Sequence, residues 1–400
     1  MTALSDALII GAGPAGLMAA EELARAGHSV QVAEAKPSVG RKFLMAGKSG
    51  LNLTKDEASE EFLAAYGEAR GSLRPMLDAF GPQDVQDWAR TLGQEVFTGS
   101  SGRVFPKVMK ASPLLRAWMT RLGDLGVQVN TRWRWTGFDD AGFAFDTPDG
   151  TQTVTPDVTV LALGGASWAR LGSDGAWAPW LACKGVALTP FQGANVGLRV
   201  AWSEHMARHY GAPVKGISLS AGQVSTQGEF VISAQGLEGG AIYTLSKPLR
   251  EGAALCVDLL PKRSLQEIET QLARPRGKTT LANQLRKMLK LDPVKLALLQ
   301  EFGRPLPEGK ALAKLLKSLP LPHQGARPMD QAISTAGGVA WQALSDGLML
   351  KPLPGVFVAG EMIDWEAPTG GYLLTACLAT GRWAGQHAAR YLAEMRQTRA

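Results

Sequence analysis

The chain is poor in cysteine: Cys183, Cys256 and Cys377 are the only three among 400 residues, and they lie far apart. That spacing excludes a C-x-x-C redox pair, a zinc knuckle and a disulfide framework. No apolar run reaches the length of about eighteen residues that a membrane-spanning helix needs. The opening segment MTALSDALII has no basic n-region, so no signal peptide is read and a reducing cytoplasmic setting is expected. Histidine is also scarce; His205 and His209 are four apart, but Met206 stands where a zinc protease needs glutamate. Gly277-Lys278-Thr279 has Leu272 in place of the first glycine of a phosphate loop, so no ATP site is read. Charge is modest at 20%, which argues against a disordered chain, whereas glycine is plentiful (46 residues) and 45% of residues are hydrophobic. Such a chain suits a loop-rich α/β enzyme of two or three domains.

The most informative segment runs from Ala7 to Ala35. An apolar strand leads into Gly11-Ala12-Gly13-Pro14-Ala15-Gly16, a helix follows to Arg25, and a second apolar strand ends at Glu34. This is a strand–loop–helix–strand unit with G-x-G-x-x-G in the loop and an acid at the end of the second strand, the pattern of dinucleotide binding. Free N–H groups at the helix start attract a pyrophosphate, and the carboxylate of Glu34 can accept hydrogen bonds from ribose hydroxyls.

Two further apolar strands end in glycine turns. Val158 to Leu163 runs into Gly164-Gly165, and Val356 to Ala359 runs into Gly360-Glu361. In a doubly wound sheet, ligands sit beyond the carboxyl ends of the strands, so the three turns converge on one crevice. FAD is long enough to touch all three, whereas NAD needs only the first; FAD is therefore the expected cofactor. A second strand–GxGxxG–helix unit is absent, so NAD(P)H is expected at most as a transient visitor over the flavin.

At these residues the chain resembles the bacterial BaiN/YhiN-like flavoproteins. The similarity is carried by GAGPAG, by Gly40-Arg41-Lys42 and the loop after it, by Leu163-Gly164-Gly165-Ala166-Ser167, and by Gly236-Leu237-Glu238-Gly239-Gly240-Ala241-Ile242. The strongest match is Ala359-Gly360-Glu361-Met362-Ile363-Asp364 with Thr369-Gly370-Gly371-Tyr372. Two segments depart from the common pattern. Gly47-Lys48-Ser49-Gly50-Leu51-Asn52 stands where many members have Gly-Gly-Gly-Arg-Cys-Asn, and Ser233-Ala234 where many have Thr-His.

The resemblance implies FAD, a discontinuous Rossmann-like FAD-binding domain, and an insertion with a β-barrel-like piece and a helical piece. The corresponding division is 1–190 plus 329–400 for the cofactor domain, 191–261 for a mostly-β substrate domain, and 262–328 for a helical subdomain. The insertion is expected to roof the flavin. Cofactor-binding residues are expected to be Gly11, Gly13, Pro14, Ala15, Gly16, Glu34, Ala35, Arg41, Lys42, Asn52, Val129, Gly164, Gly165, Gly360, Glu361, Thr369, Gly370, Gly371 and Tyr372. Thr369-Gly370-Gly371 opens a helix, whose N–H groups stabilise the negative charge of a reduced flavin. Lys48 is the candidate catalytic residue, a cation able to polarise a substrate carbonyl or promote reaction with oxygen.

The expected activity is hydride transfer between a small organic substrate and flavin N5. An alternative comes from charge. Lys262 to Lys317 holds 13 Lys/Arg against 5 Asp/Glu, a larger excess than the +6 of the whole chain. A solvated helical face explains this, but so does a platform for RNA, which would make the chain a flavoprotein that binds or modifies RNA. A non-catalytic FAD-binding module is the third reading. Local patterning also predicts a loop throughout Lys36 to Thr54, helix interrupted at Pro75 and Gly81-Pro82 over 55–92, and an antiparallel meander from Trp133 to Val154.

Overall fold

The computed structural model describes residues 5–48, 50–275 and 277–399. Ser49 of the Gly47–Asn52 loop, Arg276 of the basic segment and residues 1–4 of the opening segment therefore lie outside the described residues. The chain forms two compact units, Met1–Gln192 with Ser334–Ala400, and Gly193–Ile333.

The first unit is built on a parallel sheet of five strands: β1 (Ala7–Ile10), β2 (Val30–Glu34), β3 (Gln128–Thr131), β4 (Val158–Leu161) and β5 (Val356–Val358). Their spatial order is β5-β4-β1-β2-β3, with every pairing parallel. All residues of β1, β4 and β5 are buried, as expected of strands covered on both faces, which read as continuous apolar runs rather than alternating ones. The architecture is the α/β, Rossmann-like arrangement expected from sequence.

Four helices matter for the site: α1 (Pro14–Arg25), α2 (Arg41–Ala46), α3 (Ala111–Asp124) and α4 (Tyr372–Arg399). α1 and α4 approach closely because small residues line their contact. A Cβ at Gly381 would stand 2.2 Å from the Ala15 carbonyl oxygen, and one at Gly385 would stand 2.7 Å from that of Ala19. The i, i+4 spacing of both pairs puts them on facing stripes.

Two local expectations change. α2 interrupts the loop expected over Lys36 to Thr54. Arg-Lys-Phe-Leu-Met-Ala contains good helix formers, Gly40 starts the helix from a left-handed conformation (φ +62°), and Phe43 buries its ring at 5% exposure. Pro75 does not break its segment but sits inside the helix Arg70–Ala79; the break falls at Phe80-Gly81, before the helix Pro82–Thr91. The meander appears as Arg134–Phe138, Phe143–Thr147 and Gly150–Val154. A small sheet pairs Thr54–Lys55 and Val96–Thr98 with Arg103–Pro106.

The second unit holds an antiparallel sheet in the order Leu198–Arg199, Gly236–Glu238, Val224–Ser233, Pro213–Ala221, Leu255–Asp258, Leu319–Pro320. Helices Leu265–Leu272, Leu281–Leu289, Pro293–Gly303 and Gly309–Lys317 follow in the basic segment. Leu219, Phe230 and Val257 of the sheet share one core with Leu285, Leu298 and Leu316 of the helices. Two of the basic residues serve this packing. Lys295 is 8% exposed and donates to the carbonyls of Gly216 (3.0 Å) and Leu259 (2.9 Å); burial lowers its pKa. Lys317 pairs with Asp258 at 2.5 Å.

The α1–α4 contact sets a stability prediction. Gly381→Ala forces backbones apart and should cost roughly 1–3 kcal/mol. Gly71→Ala, in an open helical position with nothing within 4 Å of the added carbon, should be neutral or stabilising. Thermal unfolding of both variants checks this; equal melting temperatures would refute the close-approach argument.

Candidate functional site

β1, β4 and β5 are adjacent and parallel, so their carboxyl ends emerge side by side. The Ala162 N–H donates to the Ile10 carbonyl at 2.8 Å, and the Ala359 N–H to that of Leu161 at 2.9 Å. Gly11, at φ +106°, turns the chain out of β1, and a Cβ there would lie 2.3 Å from the Ala162 carbonyl oxygen. At Gly13 a Cβ would meet nothing within 4 Å. That open space faces the start of α1, where Pro14 occupies the first turn and no side chain caps the helix. Gly16 is closed in the opposite sense: its Cβ would meet the Gly11 carbonyl oxygen at 1.9 Å. The loop thus leaves backbone N–H groups facing an opening that suits a phosphate.

Glu34 ends β2 with its carboxylate held by two backbone donors, Ala12 N–H at 3.0 Å and Lys36 N–H at 2.8 Å. Burial raises its pKa, and those two bonds with the charges of Lys36 and Arg41 work against the rise. Ala35 is exposed beside it, and Val129 on β3 pairs with Val32 on β2.

The turns after β4 and β5 meet at Glu361. One carboxylate oxygen of Glu361 accepts from Lys42 Nζ at 2.6 Å, and the other from the Thr335 N–H at 2.9 Å. Lys42 also donates to Ser167 Oγ at 2.8 Å. The Thr335 hydroxyl accepts from Ala166 N–H at 2.9 Å and packs where a Cβ on Gly165 would fall. Trp177 Nε1 donates to the Gly164 carbonyl, and Trp365 Nε1 to that of Gly360, each at 2.9 Å. Burial, helped by the charge of Glu361, pushes the Cys377 thiol up to about 12, so it is held as an inert thiol.

The third cluster starts α4. Gly371, at φ +114°, lies against the backbone of Thr54, where a Cβ would be 2.4 Å from the carbonyl carbon. The Tyr372 hydroxyl accepts from Lys55 Nζ at 2.8 Å and donates to Glu57 at 2.5 Å. Its pKa is pushed up to about 12 by burial and by Glu57, so it remains a donor throughout the physiological range. The Tyr372 ring packs with Phe62 and Tyr66, and the Tyr66 hydroxyl donates to the Tyr372 carbonyl at 2.9 Å.

Several buried polar atoms in this unit have no partner: Arg41 Nε, Asn52 Oδ1, Trp168 Nε1 and Ser173 Oγ. His28 Nδ1, Trp88 Nε1 and Trp135 Nε1 share this condition, so an unpartnered buried atom marks a place open to water or to a ligand rather than a ligand site by itself. Lys48, by contrast, is exposed and lines a cleft together with Arg41. Thr335, Ser173, Lys55 and Glu57 escaped sequence reasoning, because no motif marks them and their partners are remote in the chain. Among the described residues no cluster could hold a metal, and no helix is long and apolar enough to cross a membrane.

Three glycine turns at the ends of adjacent parallel strands, an acid after the second strand and unfilled helix N–H groups define a Rossmann-type nucleotide cleft. The chain belongs to the family described as HI0933-like protein Rossmann domain, whose model matches residues 5–387. A 3-dehydro-bile acid delta(4,6)-reductase of Clostridium scindens is 28% identical, the match covering 95% of this chain and 98% of that protein. A ribosomal RNA dihydrouridine synthase of Escherichia coli is 24% identical over 92% of this chain and 94% of that protein. The solved 3-ketosteroid delta1-dehydrogenase of Sterolibacterium denitrificans superposes with a TM-score of 0.54 at 13% identity, covering 97% of this chain and 100% of that one; it shares the fold.

The Tyr372 network predicts that Tyr372→Phe costs about 1–2 kcal/mol, because Lys55 and Glu57 lose a shared buried hydroxyl. Chemical denaturation measures the change. Unaltered stability would mean that solvent replaces the hydroxyl without loss.

Proposed function

We propose that this chain is a FAD-dependent oxidoreductase that moves hydride between flavin N5 and a small organic substrate. The supporting observation is the convergence of three glycine turns, at Gly11, Gly164 and Gly360, beside buried polar atoms that lack partners. The residues fit the group. Gly13, Ala15 and Gly16 offer the pyrophosphate backbone N–H donors at the start of α1, Gly11 and Pro14 shape the turn that presents them, and Glu34 offers the adenosine ribose a fixed acceptor next to Ala35 and Val129. Arg41, Lys42, Asn52, Gly164, Gly165, Gly360 and Glu361 would hold the middle of the molecule, Arg41 and Asn52 with unsatisfied atoms. Thr369, Gly370, Gly371 and the start of α4 at Tyr372 would hold the flavin end through helix N–H groups.

FAD, when bound, supplies the hydride chemistry; the chain supplies orientation and charge. Lys48 is the proposed catalytic cation, able to polarise a substrate carbonyl. A relative named as a delta(4,6)-reductase supports a carbon–carbon double bond as the first substrate type to test. A nicotinamide, NADH or NADPH, visiting transiently, is the proposed reductant.

A second reading makes RNA the substrate. Two things favour it: the Lys/Arg excess of Lys262 to Lys317, and the E. coli relative named for ribosomal RNA. Its basic surface is smaller than the sequence suggests, because Lys295 and Lys317 face inward partners. Salt-sensitive RNA retention, lost on neutralising Arg286 and Lys287, would favour this reading; salt-insensitive or absent retention removes it.

Anaerobic titration of the yellow protein with NADH, NADPH and a panel of enoates, amines and hydroxy acids tests the main reading. Bleaching by a nicotinamide and recovery with an enoate is the expected outcome. A preparation that stays colourless in excess FAD ends it. Glu34→Gln should weaken FAD about 10–100-fold through loss of a charged acceptor. Because burial raises the Glu34 pKa, its carboxylate protonates at a higher pH than a free glutamate. FAD affinity should therefore fall as pH is lowered through that raised value, and the acid limb should be missing in Glu34→Gln. Lys48→Met should slow reduction or reoxidation of the flavin while leaving it bound; unchanged rates of both half-reactions would exclude the role.

A further inference from the structure

α2, the start of α3, Ser38 and Leu171 border an open cleft of about 430 Å³ that none of the three glycine turns lines. Neither Glu34 nor Glu361 reaches it; Arg41 is the one residue shared with the expected cofactor set. We propose that this cavity binds the phosphate group of a phosphorylated small molecule.

Three cations line it, Arg41, Lys48 and Lys110, and no carboxylate does. None of the three forms an ion pair with a described residue. Arg41 donates to Ser38 Oγ at 3.2 Å, but its Nε is buried and without a partner. Glu34 feels the Arg41 charge from outside the cleft, but no carboxylate lines it, and like charges so gathered raise one another's energy, which a bound anion offsets. Arg41, Leu44 and Met45 have the i, i+3, i+4 spacing of one face of α2 and Lys48 follows just beyond its end, while Lys42 points to Glu361 from another face.

The start of α3 adds to the field. Lys110 is the residue before this 14-residue helix, and no side chain caps it. Ala111 and Ser112, whose N–H groups have no partner within the helix, line the cavity. A helix N-terminus carries about half a positive charge and binds phosphate through those donors. Three cations and a helix end suit a dianion better than a single carboxylate.

Size and lining identify the rest of the ligand. Leu44, Met45 and Leu171 give the cavity an apolar wall, which an inorganic ion does not use. The volume falls within the range of small-molecule pockets, roughly 300–1,000 Å³. An open, partly apolar cleft of this size accommodates a compact organic phosphate. That phosphate has two sources: a nicotinamide dinucleotide carrying a 2′-phosphate, or a phosphorylated metabolite.

Calorimetric titration of the flavin-loaded protein separates these. The probes are adenosine 2′,5′-bisphosphate, glycerol 3-phosphate and inorganic pyrophosphate, with adenosine and glycerol as uncharged counterparts. Phosphorylated probes should bind at least about tenfold more tightly than their counterparts, and Lys110→Glu should weaken them by about tenfold or more. Glutamate is favourable at a helix start, so this variant should keep its fold, and Lys110→Gln should give an intermediate loss. Lys107→Glu, outside the cavity, should change nothing. Tighter bisphosphate binding assigns the site to the reductant; tighter glycerol 3-phosphate binding assigns it to a metabolite. The proposal is overturned if no probe binds below about 10 mM, if Lys110→Glu has no effect, or if only a single-stranded RNA oligonucleotide responds to it. Binding seen only without flavin would return the cavity to the cofactor cleft and also overturn it. Because phosphate binding is read directly, it can hold or fail whether or not the protein is an oxidoreductase.

Discussion

The first unit depends on places where backbone meets backbone with no side chain between. Gly11 and Gly16 let the end of β1, the start of α1 and the Ala162 carbonyl occupy neighbouring space. Gly381 and Gly385 let α4 settle on the other side of α1. A methyl group at any of these points collides with a carbonyl oxygen, which cannot move without breaking sheet or helix. The opening at Gly13 is a consequence of the same closeness: tight packing behind the loop leaves its front clear.

Much of this was legible in the amino-acid order. β1, α1 and β2 follow from an apolar run, a glycine loop and a second apolar run ending in an acid. The strands before Gly164 and Gly360 follow from the same logic, as does the meander, whose aromatic and β-branched residues alternate. α2 was obscured because Gly40 and Gly47 flank it closely, and glycine clusters usually signal loops. Pro75 misled for a related reason: a residue that disfavours helix locally was overridden by the packing of Leu73, Met76 and Leu77, all buried.

The side-chain network was beyond reach of local reading. Lys42 and Glu361 each sit in a recognisable motif, but their pairing joins positions 319 apart. Thr335 carries no motif, yet its backbone N–H donates to Glu361 and its hydroxyl accepts from Ala166. Nothing short of the folded sheet brings them together. The basic segment errs in the other direction: composition counts every lysine as surface charge, whereas Lys295 donates inward to two carbonyl oxygens.

The bonds that tie Thr54, Lys55 and Tyr66 to α4 span most of the chain: Lys55 to Tyr372, Thr54 to Thr375 and Tyr66 to the Tyr372 carbonyl are separated by 317, 321 and 306 positions. Translation runs at roughly 5–20 residues per second, so the first strands wait tens of seconds for β4, β5 and α4 to leave the ribosome. Throughout that interval β1 has an unpaired edge and α1 has bare small-residue stripes. The nucleotide fingerprint of Gly11 to Gly16 is thus among the last parts to become functional, since its neighbours β4, β5 and α4 are made after it.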